Sequence, residues 1–184
     1  MKASKGKLRD KDISDYLRYQ PSHERFDAFL EIVFQLSPKQ YWKFLREVWV
    51  ECEAIDPNKL TWLRLLQSKK QNREFLMTRK EHKALEKLPK ILRIWRGCGH
   101  KGGARGLSWT LEREQAEFFA GYAVGIRRRM WGIAHVGPDT NPIIVEAECK
   151  KSNVLAYFME RAESEIVVNP KHLTILKTII CPIK

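Results

Sequence analysis

Two glutamates separated by one residue, Glu163 and Glu165, stand directly before the run Ile166-Val167-Val168, and Asn169-Pro170 closes it. Three hydrophobic β-formers ended by a residue that cannot donate to a ladder predict a short buried strand that starts at Glu165 and stops before Pro170. The period of two places the carboxylates on one face, about 7 Å apart. If buried together they raise each other's pKa and suit acid/base or electrostatic chemistry; if solvated, they are two acids on an exposed strand end. Upstream, Arg96 ends a strand-like run from Ile91 to Trp95, and Ser108-Trp109-Thr110 precedes a helical pattern.

Between them, Gly97-Cys98-Gly99-His100-Lys101-Gly102 fits the spacing GxGxxG. A dinucleotide fingerprint needs a helix that starts within the motif and turns its N-terminus toward the pyrophosphate. Here Gly103, Ala104, Arg105 and Gly106 follow, and then a further strand-like run. The doubly wound reading is therefore rejected, and a glycine-rich cationic loop remains.

The elements that must position these residues fall into two parts. Residues 1 to 20 read as a polar, loose arm. A helix is predicted from Ser22 to about Leu36 on the spacing of Phe26, Phe29, Leu30, Val33 and Phe34. Ser37-Pro38 opens a second helix through Tyr41, Phe44, Leu45, Val48 and Trp49, and Asp56-Pro57 opens a third with Leu60, Leu63, Leu65 and Leu66. Short helical pieces lead to Leu88-Pro89, which marks a boundary: residues 1–89 form a small helical lobe with a basic segment, and 90–184 a second domain. In the second part strands are predicted at Ile91 to Trp95, Ile143 to Cys149, Val154 to Phe158, Glu165 to Val168 and Leu173 to Ile180. One helix lies among them, with Thr110 as N-cap, Glu112 and Glu114 in its first turn, Ala116, Phe119, Ala120, Ala123 and Val124 on one face, and Arg127-Arg128-Arg129 at its end. Strands without regular helix alternation predict an α+β fold.

Composition narrows the function classes. The chain has 184 residues, enough for one good core with a small appended lobe, and 43% hydrophobic and 30% charged residues, which are globular values. There is no apolar segment of signal-peptide or membrane-spanning type, so a cytoplasmic protein without membrane contact is expected. Cys52, Cys98, Cys149 and Cys181 lie far apart with no CxxC and no histidine pair nearby, which predicts reduced thiols and no metal site. The net charge of +12 is concentrated: residues 57 to 105 hold fourteen Lys/Arg against three Asp/Glu, while the flanking segments are close to balanced. Such a segment attracts a polyanion or a phosphate-bearing ligand.

Taken in order, Trp95-Arg96-Gly97, then Gly106-Leu107-Ser108-Trp109-Thr110-Leu111, then Glu163-Ser164-Glu165-Ile166-Val167-Val168 resemble the arginine, Ser-Thr-Ser and E-x-E motifs of the R-S-E class of ADP-ribosyltransferases. The resemblance covers the C-terminal half, and the helical half resembles the lobe that precedes this domain in bacterial and phage relatives. Two departures stand out: Trp109 replaces the middle threonine, and Leu107 takes the place of an aromatic residue. Arg96 in place of a histidine sets the chain apart from the diphtheria-toxin and poly-ADP-ribose polymerase branch.

The resemblance implies a core of two packed mixed β-sheets with few helices, NAD as co-substrate and no metal. It makes Glu165 and Glu163 catalytic: Glu165 faces the positive charge that develops as nicotinamide leaves the ribose, and Glu163 positions or deprotonates the attacking nucleophile. Arg96 with Gly97 grips a dinucleotide phosphate, Ser108 orients Glu165 or the nicotinamide ribose, and Thr110 and Trp109 complete the NAD site, Trp109 as a candidate to stack on nicotinamide. The E-x-E form resembles arginine-modifying enzymes, whereas the basic segment suits a polyanion, RNA or single-stranded DNA. The first expectation is transfer to nucleic acid, the second is transfer to protein arginine, and a third is a catalytically silent nucleic-acid- or protein-binding module. Such an activity fits a toxin of a toxin-antitoxin, phage-defence or phage-encoded system, which makes a neutralising antitoxin protein a candidate partner.

Overall fold

The structure, a computed structural model, describes residues 8–52, 55–99, 101–121, 142–160 and 163–181. The chain divides into two compact units, Met1–Thr78 and Arg79–Lys184. Among the described residues no helix is long and apolar enough to cross a membrane.

The first unit is helical: α1 (Asp10–Tyr19), α2 (Arg25–Ile32), α3 (Pro38–Glu51) and α4 (Lys59–Leu66). The expected loose arm is a helix from Asp10 onward. Its acids at Asp10 and Asp12 suit the helix N-terminus, and Ile13 and Leu17, four residues apart, are its buried residues. Two apolar positions are too few to show a period, which is why sequence alone reads them as polar arm. Ser37 forms the predicted cap of α3, its hydroxyl accepting the Gln40 amide while the Gln40 side chain returns to the Ser37 amide. Phe26 stacks on Trp62 at 4.0 Å, and Trp49 meets Trp62 edge-on at 5.0 Å. Phe34 and Leu60 do not join this core. Phe34 lies beyond the end of α2 and is 94% exposed, and Trp62 and Leu66 take the inward face of α4 while Leu60 faces solvent.

The second unit opens with α5 (Arg79–Lys87) and holds β1 (Ile91–Cys98), β2 (Ser108–Thr110), α6 (113–121), β3 (Ile143–Lys150), β4 (Val154–Phe158), β5 (Glu165–Val168) and β6 (Leu173–Ile180). Its start at Arg79 differs from the expected boundary at Pro89. The buried Glu81 carboxylate accepts the Met159 amide at 3.0 Å, binding α5 to the residue after β4. The α+β class is as expected. The described strands form one six-stranded antiparallel sheet in the order β4-β5-β2-β1-β3-β6, and a second packed sheet is not among them. Each predicted strand is present, and the pairing partners, set by residues distant in sequence, make them one sheet.

α6 also departs from its expected start. Thr110 pairs within β2, and its hydroxyl accepts the amide of Glu112, whose own carbonyl begins the helix by accepting from Ala116. Ala123, Val124 and Arg127-Arg128-Arg129 lie outside the described residues. Ala116 and Ala120 pack with Ile144 and the half-buried Trp95. A Cβ on Gly97 would stand 1.7 Å from the Ala116 carbonyl oxygen, so α6 rests directly on the β1 backbone. All four cysteines are free thiols, and burial pushes that of Cys149 up to about 11.

This packing distinguishes two glycines. Gly97→Ala forces helix and strand apart and lowers unfolding stability by about 1–3 kcal/mol. Gly121→Ala in α6, where a Cβ meets nothing within 4 Å, is neutral or stabilising by up to about 1 kcal/mol. Urea unfolding midpoints of the two variants check the contrast.

Candidate active site

Glu165 opens β5 as predicted, and its neighbours are set by sheet register. Residues paired across strands share a face, and the pairings Lys177–Glu146, Glu146–Trp95, Trp95–Thr110, Thr110–Glu165 and Glu165–Phe158 form one row across all six strands. Glu165 therefore stands between the Thr110 hydroxyl and the Phe158 ring, with strand neighbours about 4.8 Å away. Ser108, two residues before Thr110, belongs to the same face one row further on, paired with Val167. Ser108 and Glu165 are half-buried. The Ser-Trp-Thr and E-x-E motifs, more than fifty residues apart in the chain, are thus brought side by side by the β2–β5 ladder.

The turn that delivers the carboxylates is held on several sides. Glu163 precedes the strand and is half-buried, and its amide donates to the Glu160 carbonyl at 2.9 Å. Ser164, the residue between the two glutamates, accepts the Leu111 amide on its carbonyl, and its hydroxyl donates to the Glu112 carboxylate at 2.8 Å. Glu81 fixes Met159 at the start of the same turn. These bonds fix the backbone that carries Glu163 and Glu165, the condition for a preorganised carboxylate.

Arg96 is placed differently from the two carboxylates. Alternation along β1 puts it on the face opposite Trp95 and Gly97, hence opposite Ser108 and Glu165. Its Nε donates to the Gly103 carbonyl at 2.7 Å and its Nη1 to the Ser108 carbonyl at 2.8 Å. Gly106 lies so close that a Cβ there would stand 2.1 Å from the guanidinium carbon. The guanidinium thus binds the glycine-rich turn to β2. That turn contains the short 3₁₀ segment Lys101–Arg105 and no α-helix, in keeping with the rejected dinucleotide fingerprint.

The stacking assignment to Trp109 needs correction. The residue is 2% exposed, and its indole N–H donates to the Gly106 carbonyl at 3.0 Å, so its ring is part of the core and offers no open face. Leu107 beside it is fully buried. Gly97 lies under α6, where absence of a side chain is required by packing. Thr110 is buried with its hydroxyl on the Glu112 amide, next to Glu165.

Sequence reading gave no site role of their own to Glu81, Glu146, Trp95 and Phe158. Glu81 is hidden in the basic run Arg79-Lys80-Glu81-His82-Lys83, and only its burial distinguishes it. Glu146 interrupts a hydrophobic strand, which is the available signal. It is 8% exposed and is neutralised by an ion pair with Arg93. Trp95 and Phe158 become relevant through register, which residue order does not specify. No metal-holding group of three or more acidic, histidine or cysteine side chains occurs among the described residues. No family model, curated protein or solved structure matches this chain.

The clamp around Arg96 is open to test. Arg96→Lys loses the planar donor pair and lowers stability by about 2 kcal/mol. Gly106→Ala displaces the same guanidinium. Because both variants break one contact, the double variant loses less than the sum of the single losses in denaturant titration, and simple additivity would show that the contact is not shared.

Proposed function

We propose that the chain is an NAD-dependent mono-ADP-ribosyltransferase that moves ADP-ribose from NAD onto a nucleic-acid acceptor and releases nicotinamide. The observation that supports the reading is the position of β2. It pairs with β1 on one side and β5 on the other, so the arginine, serine and E-x-E motifs lie on three adjacent strands.

In this reading the bond between the ribose anomeric carbon and the nicotinamide nitrogen breaks, and nicotinamide leaves with the electron pair. Glu165 faces the positive charge that develops on the ribose, as a fixed carboxylate does in glycoside transfer, and Ser108 on the same face orients it or the ribose. The acceptor nucleophile then bonds to the anomeric carbon and gives its proton to Glu163. Arg96 lies on the opposite face with two donors engaged by the Gly103 and Ser108 carbonyls, so it serves the site by holding the turn beside β2. A polyanionic acceptor is supported by the second unit's basic stretch, residues 79 to 105, with nine Lys/Arg against two Asp/Glu. The second carboxylate at Glu163 favours the other acceptor, a protein arginine. An enzyme of this kind acts as a toxin or phage-conflict effector, with a neutralising protein as a natural partner.

Labelled NAD incubated with cell extract and either the wild-type chain or Glu165→Gln tests the reading. Label that resists protease, is released by nuclease and is lost in the variant is the expected result. Label confined to protein moves the acceptor to arginine, and label absent from both fractions, or equal in the variant, leaves a binding module without transfer.

A further inference from the structure

α5 carries most of its positive charge where the helix itself does not gain from it, Lys87 in the last turn being the exception. Arg79, Lys80, Lys83 and Lys87 are all exposed, with Glu86 the exposed acid of the helix, and Lys90 just beyond the helix is exposed as well, while the inward side holds Glu81, His82, Ala84 and Leu85. Arg79 and Lys80 occupy the first turn, where the helix dipole disfavours positive charge. Arg79 with Lys83, and Lys83 with Lys87, are like-charged pairs four residues apart, each costing about 0.2–0.5 kcal/mol. Lys87 at the last turn is not needed as a cap, because Lys151 Nζ donates to the Glu86 and Leu88 carbonyls at 2.9 and 2.6 Å. None of the four α5 cations has an ion-pair partner among the described residues. Part of the basic excess is used internally: Arg93 pairs with Glu146, Arg96 holds the glycine-rich turn, and in the first unit Arg73 lies over the Trp42 ring. The α5 cations are a part of the excess that no ion pair among the described residues consumes, and with Lys90 they lie close together along the chain, whereas Arg64 and Lys69 are exposed in the first unit.

We infer that the solvent face of α5 is the docking surface for the phosphodiester backbone of a single-stranded nucleic acid, which rests on the transferase reading for its purpose and names where the acceptor is held. At 1.5 Å per residue, Lys80, Lys83 and Lys87 lie along about 10 Å of helix, which sets three cations within side-chain reach of neighbouring phosphates of one strand. A membrane surface is disfavoured as the occupant: a helix that lies on lipid needs an apolar face to insert, and that of α5 is turned inward. Glu81 gives the helix its connection to the site: its carboxylate ties α5 to Met159, which follows β4 and precedes Glu163 and Glu165 in the chain.

The test is a salt titration of a labelled single-stranded RNA oligonucleotide against the full chain, the variant Lys80→Gln/Lys83→Gln/Lys87→Gln and the variant Lys69→Gln/Lys70→Gln. Lys69 and Lys70 belong to the same basic segment but to the first unit. The α5 variant is expected to lose at least about tenfold in affinity at low salt and to flatten the slope of log affinity against log salt by about two, near 0.7 for each phosphate neutralised. The Lys69/Lys70 variant keeps the wild-type slope. An unchanged slope in the α5 variant, an equal loss in the Lys69/Lys70 variant, or a loss seen on phosphatidylserine vesicles and not on RNA overturns the proposal. Nicotinamide release from NAD, measured on the wild-type chain, separates the two readings. Release without an α5-dependent slope removes the surface and leaves the transferase, and an α5-dependent slope without release removes the transferase and leaves the surface.

Discussion

The sheet of the second unit depends on a strand of three residues. β2 is the seam between the long ladder of β1, β3 and β6 and the short one of β5 and β4, and a three-residue strand has too few backbone bonds to hold two such halves together. Side chains and flanking amides supply the rest. Trp109 closes its indole on Gly106, the Val168 amide reaches Leu107, the Leu111 amide reaches Ser164, and the Arg96 guanidinium binds the Ser108 and Gly103 carbonyls from β1. A planar cation with donors in fixed directions suits this work, since it bonds two carbonyls that belong to different parts of a turn. Ser108 and Thr110 stand beside Glu165 because this seam is closed.

Two carboxylates occupy the same row of the sheet and meet opposite surroundings. Glu146 is buried, paired with Arg93 and next to Lys177, so its charge is compensated within the fold. Glu165 sits at the first position of its strand between a hydroxyl and an aromatic ring, on a turn pinned by Glu81, Ser164 and Glu112. The first arrangement stabilises a strand. The second places a half-buried carboxylate at a strand end on a fixed backbone.

Charge shows the same division between structural and free groups. The basic segment from 57 to 105 reads as one block in the chain, yet the two units share it: five Lys/Arg against one Asp/Glu fall in 57 to 78, and nine against two in 79 to 105. Part of each share is internal. Burial depresses the Arg73 pKa, and Arg93 and Arg96 are bonded within the sheet unit. A count of charges along the chain measures long-range attraction, whereas a contact with a polyanion depends on which cations are left on one exposed side.

Local signals by themselves determined a good deal. The strands from Ile143, Val154, Glu165 and Leu173, the Ser37 cap with Pro38, and the absence of a helix after the glycine-rich loop follow from propensity, proline and capping chemistry acting over a few residues. α1, with two apolar residues, and the cap of α6, which Thr110 surrenders to Glu112 by joining β2, were beyond such signals. Only tertiary structure decided which strand pairs with which, that Glu165 neighbours Thr110 and Phe158, that Trp109 is core, and that Glu81 is buried within a basic run. The physical reason is that pairing and burial depend on groups far apart in the chain: register selects neighbours across a ladder, and the energy of a buried charge or ring depends on what the rest of the fold brings to it.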